Sequence, residues 1–396
     1  MRLILYTGKG GVGKTTTAAA TAACAAARGR RTLVASADAA HSLGDVLEQR
    51  LEPTPTRVAP NLDAIEIDAR VEMLRRWGRI REFLVSMFEY RGIDAVVAEE
   101  LAMLPGAEEI TTLLAVEEYA HAGGYEFVVV DCAPTDSTLR LVTLPDVASR
   151  FFRILLPIAA TISGVAVPLA RRLVAAPLPD SGVFREADEL IYRHLAALQK
   201  RITHRDTSVR MVVTPERMVI DEAQRAYTDL ALFEVGCDAV IMNRMLPEAA
   251  ADEEFFADWC RLQGERFLDV ARLFAPLPVL AAPLAEDEVC GVEALRAHGE
   301  AIFGDIAPEA RLCNAPRVQF VREGPEYIAI VPLPNANPGD IDVVKVDDEL
   351  SITTGSRRRS LKLPRRFVPL SLVSARLEGR AMRISFAPEA ALPEVV

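Results

Sequence analysis

Along the first three hundred residues, short apolar runs alternate with alanine-rich or amphipathic stretches. "RLILYT" (2–7) predicts a strand, and "KTTTAAATAACAAARG" after it predicts a helix ending at Gly29. "TLVAS" (32–36) is a second strand, and the fully apolar run Phe127–Val130 has the look of a parallel strand buried on both faces. "VRMVV" (209–213) leads through a proline turn into an amphipathic helix, and "AVIMN" (239–243) adds another strand. Strands alternating with helices predict an α/β fold with a mostly parallel sheet flanked by helices.

Two regions, about 68–122 and 148–205, lack strand character and read as helical insertions. In the first, Met73, Trp77, Ile80, Leu84 and Met87 recur at steps of four and three, and Ile110, Leu113, Leu114 and Glu117 have similar spacing. Such a stripe fits helix-packing core and also the lining of an apolar groove; Met103 adds a flexible side chain of the kind that suits a promiscuous surface. In the second, Ile154–Ala170 is uncharged but interrupted by Pro157, Gly164 and Pro168, and it is shorter than the roughly 20 residues that span a bilayer, so no transmembrane helix is expected. Ile191, Leu195, Leu198 and Ile202 then mark a helix returning to the α/β body. Near residue 315 the texture changes to short strands, with Met382, Ile384 and Phe386 alternating against Arg383 and Ser385. This predicts two domains, an α/β domain over 1–313 and an all-β sandwich over 316–396.

A length of 396 residues accommodates that division. The net charge of −11 argues against nucleic acid as a partner. Arg357, Arg358 and Arg359, lying between two strand-like runs, read as a solvated turn. Six scattered cysteines (Cys24, Cys132, Cys237, Cys260, Cys290, Cys313) form no C-x-x-C pair, which predicts neither a zinc knuckle nor a disulfide framework and suits a reducing cytoplasm. With a strand expected from Arg2, no signal peptide is expected.

The chemistry is concentrated in "GKGGVGKTT" (8–16). Gly8, Gly13, Lys14 and Thr15 meet the pattern G-x-x-x-x-G-K-[ST] between a strand and a helix. Gly10, Gly11 and Val12 give a loop whose backbone N–H groups can turn toward phosphate. The helix N-terminus adds its dipole, Lys14 adds charge, and the Thr15 hydroxyl can hold Mg²⁺ beside Thr16. Asp131, delivered at the end of the apolar strand, is the candidate second ligand for the metal.

Lys9 makes the loop resemble the deviant Walker A of the signal-recognition, partition, nitrogenase-iron-protein and arsenite-pump class of ATPases. The resemblance implies a homodimer with ATP at its interface, Lys9 reaching the partner's nucleotide, where a cation stabilises the transferred phosphoryl group; a solvated loop lysine is the bland alternative. "DAAHSLGD" (38–45) is similar to the first switch of the arsenite-pump and tail-anchored-protein-targeting family. That likeness implies that Asp38 positions the attacking water, with Ala39 and Ser42 replacing the family's Pro and Asn and His41 retained. "DCAPTDSTLR" (131–140) resembles its second switch, with Asp136 and Ser137 in place of Gly-His. Asn243 and Pro283 match the family's adenine-site segments, although an Asn after a strand is also an ordinary turn residue.

The C-terminal strands resemble the α-crystallin domain of small heat-shock proteins; a dimer-bracing sandwich is the alternative. Together these likenesses imply a cytoplasmic Mg·ATP-dependent switch that shields hydrophobic, membrane-protein-like client segments in a groove, with a membrane receptor as a further possible partner. The rival reading is the ATPase subunit of an arsenite or antimonite efflux pump. Those proteins typically fuse two ATPase halves and bind the metalloid through cysteines, whereas this chain has one such loop. A third reading, a partition or membrane-positioning ATPase, lacks support because the terminal "EAALPEVV" offers no basic amphipathic helix.

Overall fold

The computed structural model describes residues 1–38, 42–101, 107–132, 181–189, 193–194, 196–324 and 326–388. The α/β part is built on an eight-stranded sheet in the order β3-β4-β2-β5-β1-β6-β7-β8. Its strands are β1 (Arg2–Thr7), β2 (Thr32–Ser36), β3 (Thr56–Ala59), β4 (Leu62–Glu66), β5 (Phe127–Asp131), β6 (Thr207–Val213), β7 (Cys237–Met245) and β8 (Val279–Pro283). All neighbours are parallel except β3, which pairs antiparallel with β4 at the edge. The central strands are buried throughout, which is why β5 tolerates no polar residue before Asp131. The alanine-rich helix α1 (Lys14–Ala27) buries most of its surface against the sheet and the helix Val292–Phe303. Small side chains let these layers approach closely.

The first insertion holds α3 (Ala69–Tyr90) and α5 (Ala107–Gly123), which pack together, and a short α4 (Ala95–Leu101) that the sequence pattern does not announce; α2 (Leu43–Leu47) precedes them. Asp68 caps α3, its carboxylate accepting from the backbone N–H groups of Arg70 and Val71, and α3 kinks at Trp77. Met73, Trp77 and Ile80 are buried in the core with Ile110, Leu113 and Leu114, whereas Leu84 and Met87 are half-buried. The stripe is therefore core over its first two turns. The exposed apolar residues of this region are others: Val71, Leu74, Val96, Val97 and Leu101. Met103 and the stretch 151–174 lie outside the described residues, as do Ile191 and Leu195, while Leu198 and Ile202 are buried as their spacing predicts.

The C-terminal strands form two antiparallel sheets, β14-β15-β10-β9 and β11-β12-β13. Here β9 is Gln319–Glu323, β10 Glu326–Pro332, β11 Ile341–Val346, β12 Glu349–Thr354, β13 Arg357–Lys362, β14 Ser371–Glu378 and β15 Ala381–Ala387. Phe367 is fully buried, with Phe320, Tyr327 and Phe386 set edge-on around it at 5.2–5.5 Å. The expectation of a solvated arginine turn is corrected, because Arg357–Arg359 open β13 and two of them grip the α/β body. Arg359 donates to Glu234 at 2.7 Å and to the Leu232 carbonyl, and Arg357 lies 3.5 Å from Asp229. A run of like charges is read as solvated by default, but here its carboxylate partners, Asp229 in the last turn of a helix and Glu234 just past its end, come from far earlier in the chain. Arg380 adds bonds to the carbonyls of Arg272 and Leu273. These anchors all lie near the ends of helices that lead into strand N-termini, so the sandwich sits at the edge of the parallel sheet opposite the one that carries the glycine-rich loop.

At that same lower edge a buried ion pair joins sheet and connector. Arg210 and Asp238, both fully buried, meet at 3.1 Å. Arg2 reaches Asp238 at 2.7 Å, and Arg210 also donates to the carbonyls of Pro308 and Ala310. Replacing one member of such a pair leaves a stranded charge and typically costs about 3–5 kcal/mol. Arg210→Met is expected to destabilise the α/β domain by roughly that amount in denaturant unfolding. A loss under about 1 kcal/mol would show that the network contributes little.

Candidate functional site

Three central strands stop at one level, because Tyr6 of β1 and Ser36 of β2 are both in register with Asp131 of β5. The chain leaving β1 becomes the loop Gly8–Gly13, the chain leaving β2 carries Asp38, and β5 ends in Asp131 itself. Parallel pairing thus brings together residues more than a hundred positions apart in sequence.

The loop is held by close contacts on both sides. A Cβ on Gly8 would lie 2.3 Å from the Val212 carbonyl oxygen of β6. Gly13 has φ 90°, and a Cβ there would lie 2.3 Å from the Asn243 side-chain nitrogen. That amide donates to the Val12 carbonyl at 2.8 Å, while its oxygen accepts from the Arg244 N–H at 2.9 Å. Asn243 is buried against the loop and braces it. Pro283 ends the edge strand β8, in register with Met245, beyond Asn243 rather than on the loop.

Lys14 is buried, its ammonium folded back to the Lys9 carbonyl at 3.4 Å. The Thr15 hydroxyl donates to Asp131 Oδ2 at 2.6 Å and lies 3.2 Å from the Ser42 hydroxyl. Thr16 is half-buried in the first turn of α1, and Asp38 is half-buried, its N–H donating to the Ser36 hydroxyl at 3.2 Å. Burial pushes the Asp131 carboxyl up to about 6; Asp38 adds to the rise, while the Thr15 hydroxyl and Lys14 oppose it.

Lys9 is placed differently. Its side chain is 38% exposed on the rim, 3.9 Å from the Glu222 carboxylate on the helix Arg217–Leu232, and Gly10 and Gly11 beside it are exposed. His41 and the altered positions Asp136 and Ser137 lie outside the described residues. The structure therefore gathers Lys14, Thr15, Asp38 and Asp131, sets Asn243 under the loop and leaves Lys9 partly exposed beside Glu222. It also brings in Ser42, named in the sequence only as a replacement within the first-switch segment, and Glu222, which carries no local signal at all.

The arrangement suits a polyphosphate and a hard cation. Asp131 Oδ1 is buried and has no hydrogen-bond partner among the described residues, an orphaned acceptor beside a hydroxyl. A carboxylate and a hydroxyl oxygen are the donor types magnesium takes alongside substrate phosphates. Since Asp131 is held above its ordinary value in the metal-free protein, its ionisation disfavours the fold. Stability from this group is present below about pH 4 and lost as pH rises toward about 6. In chelator without nucleotide, Asp131→Asn is expected to remove that loss, worth on the order of 3 kcal/mol, and so to melt higher than wild type at pH 7.5. Equal melting of the two proteins across pH 4–8 would contradict the assignment.

Comparison with known proteins identifies the family. Residues 1–304 match the Anion-transporting ATPase family, and residues 324–386 match the HSP20-like domain found in ArsA. A protein of Aquifex aeolicus named as an arsenical pump-driving ATPase is 34% identical over 388 residues, covering 96% of this chain and 98% of its own. One of Chlorobaculum tepidum bearing a similar name is 34% identical, over 98% and 96% of the two chains. The ATPase GET3 of Podospora anserina is 27% identical, over 78% of this chain and 92% of its own. With its glycine-rich loop, its parallel sheet and its C-terminal β domain all in place, the chain belongs to the anion-transporting ATPase family and is an ATP hydrolase.

Proposed function

We propose that two copies of the chain close around Mg·ATP and that this closure controls the shielding of hydrophobic client segments. The observation that carries the reading is the division between the two lysines. Lys14 is buried with its ammonium at the Lys9 carbonyl, whereas the Lys9 side chain is 38% exposed and lies 3.9 Å from the Glu222 carboxylate. A cation placed there serves a phosphoryl group that approaches from outside, which makes hydrolysis conditional on a partner.

In this scheme the loop N–H groups and Lys14 hold the phosphates, with Asn243 bracing the loop from below. Asp38 orients the attacking water and accepts its proton. Thr15 and Asp131 would hold the magnesium ion, which supplies charge neutralisation at the phosphates. The Thr15–Asp131 hydrogen bond holds the two ligands together in advance, so little reorganisation is needed.

Support for client shielding comes from the insertion. Leu74 and Val96 sit exposed around a hollow of about 310 Å³, lined also by Arg70, Met73, Arg81, Glu99 and Glu100, with Val97 and Leu101 exposed on the same short helix. Exposed apolar side chains concentrated on two helices mark an interaction surface. Among the described residues no helix is long and apolar enough to cross a membrane.

A second reading, arsenite-stimulated hydrolysis, is favoured by the names of the Aquifex and Chlorobaculum relatives. Against it, no group of three His, Cys, Asp or Glu suited to a metal occurs among the described residues, and Cys24, Cys132 and Cys237 are buried.

Asp38→Asn is expected to bind ATP normally and to hydrolyse it slower by orders of magnitude. Lys9→Ala should behave likewise, and mixing the two variants should restore about a quarter of wild-type turnover, since half the dimers are mixed and one of their two sites is complete. No restoration on mixing would sink the action of Lys9 in trans. Asp38→Asn with Mg·ATP should also keep a transmembrane-segment peptide in solution as a defined complex, and Leu74→Glu with Val96→Glu should abolish capture. Capture unaffected by those changes would remove Leu74 and Val96 from the client surface, whereas no capture at all, with turnover stimulated by arsenite and lost in Cys132→Ser or Cys290→Ser, would favour the metalloid reading.

A further inference from the structure

A fourth strand stops at the level shared by β1, β2 and β5. Glu66, the last residue of β4, is in register with Ser36 of β2, and Ser36 is in register with Asp131 of β5. Residues opposite one another in a sheet point to the same face, so the carboxylates of Glu66 and Asp131 flank β2 on one side of it. Asp131 takes the Thr15 hydroxyl there. Glu66 is engaged differently: its Oε1 accepts the backbone N–H of Gly44 at 2.9 Å, in the first turn of α2. Further along α2, the Gly291 N–H donates to the Val46 carbonyl at 2.9 Å, so this short helix is fastened near both ends.

Ser42 stands at the N-cap position of α2, where a serine ordinarily turns its hydroxyl to the N–H two or three residues on. Here it makes no such bond. Its backbone, at φ −87° and ψ −3°, is not in the extended region that a capping residue adopts, and the Gly44 N–H it would take is held by Glu66. The Ser42 hydroxyl lies instead 3.2 Å from the Thr15 hydroxyl. Proton count fixes the direction of that bond. A threonine hydroxyl has one proton, and Thr15 gives it to Asp131 Oδ2 at 2.6 Å. Ser42 is therefore the donor and Thr15 the acceptor. The Thr15 oxygen, giving one proton and receiving another, keeps one lone pair for a further partner.

We propose that Ser42 is a positioning residue for ATP hydrolysis: by donating to Thr15 it fixes that hydroxyl's remaining lone pair for the cation, and Glu66 leaves it free to do so by capping α2 in its place. The inference rests on the reading of Thr15 and Asp131 as the holders of magnesium. A lone hydroxyl rotates to suit its surroundings; tied on both sides, the Thr15 hydroxyl has its orientation set by the protein. The Asp131 oxygen not bonded to Thr15 is buried and unpartnered among the described residues, so the two oxygens offered to the ion are held together. Partners that orient a metal-holding group in this way typically govern affinity by about 10–100-fold. At position 42 the first-switch likeness has asparagine, so the hydroxyl link to Thr15 belongs to this chain's own sequence rather than to the motif.

The test titrates the full chain with ADP by calorimetry, in magnesium and in chelator. Magnesium is expected to tighten ADP binding by the wild type, and that tightening should fall about tenfold in Ser42→Ala, with ADP affinity in chelator and melting unchanged. Ser42→Thr keeps a donor hydroxyl and should restore it. Turnover of Ser42→Ala should recover as magnesium is raised, a response that a damaged fold would not give. In Glu66→Ala the freed Gly44 N–H draws the Ser42 hydroxyl back to cap α2, so this variant should lose the same factor, and the double variant no more than either alone. Undiminished tightening by magnesium in Ser42→Ala overturns the proposal. A Glu66→Ala chain with wild-type magnesium dependence, or losses that add in the double variant, overturns the part given to Glu66. A wild type whose ADP affinity is indifferent to magnesium overturns the cation reading itself, and the proposal with it.

Discussion

The level at which β1, β2 and β5 end is the constraint on which the nucleotide edge depends. Strand pairing in a parallel sheet fixes neighbours to within a fraction of a residue, and here it sets Tyr6, Ser36 and Asp131 side by side. A slip of one residue in β5 would turn Asp131 toward the other face of the sheet and replace its carboxylate at the Thr15 hydroxyl by an apolar or thiol side chain. The fully apolar sequence of β5 guards against that slip less by its own pattern than by being locked between two neighbours at once. The loop is then seated from the other side, where Val212 and Asn243 close on Gly8 and Gly13. Both sides of the loop are thus seated by protein contacts alone.

Preorganisation has an energetic counterpart at Asp131. A carboxylate excluded from water with one oxygen unpartnered is costly, and the protein meets that cost only in part through Thr15 and Lys14. The strain is of the kind that accumulates where a cation is to be bound. At the opposite edge of the sheet the charges are arranged differently: Arg210 and Asp238 are equally buried but satisfied by each other, by Arg2 and by backbone carbonyls. One edge is satisfied and structural, the other left wanting and functional.

Much of this was legible in the sequence where a local pattern determines a local structure. The apolar runs gave the central strands, the glycine spacing gave the loop, and a strand ending in Asp131 gave the carboxylate beside Thr15. What escaped was whatever depends on partners distant in the chain. The edge strand β3 and its neighbour β4 are short and half polar, and their pairing shows only once Asn61 is seen turning the chain at φ 60°. Arg357 and Arg359 look solvated until Asp229 and Glu234 come into view. Met73 and Leu74 are adjacent and both apolar, yet one is core and the other surface, because periodicity identifies a face without saying what covers it. The same ambiguity hid Phe255 and Trp259, whose helix is amphipathic in the ordinary way but keeps part of its apolar side uncovered.

The helix Arg217–Leu232 touches both ends of the molecule. Its second turn meets Lys9 through Glu222, and its last turn is clamped to the sandwich by Arg357 and Arg359. At about 1.5 Å of rise per residue it is a bar roughly 24 Å long. One continuous helix therefore carries both the carboxylate beside Lys9 and the acceptors that anchor the sandwich, so the rim of the phosphate loop and the C-terminal strands share a single piece of scaffold.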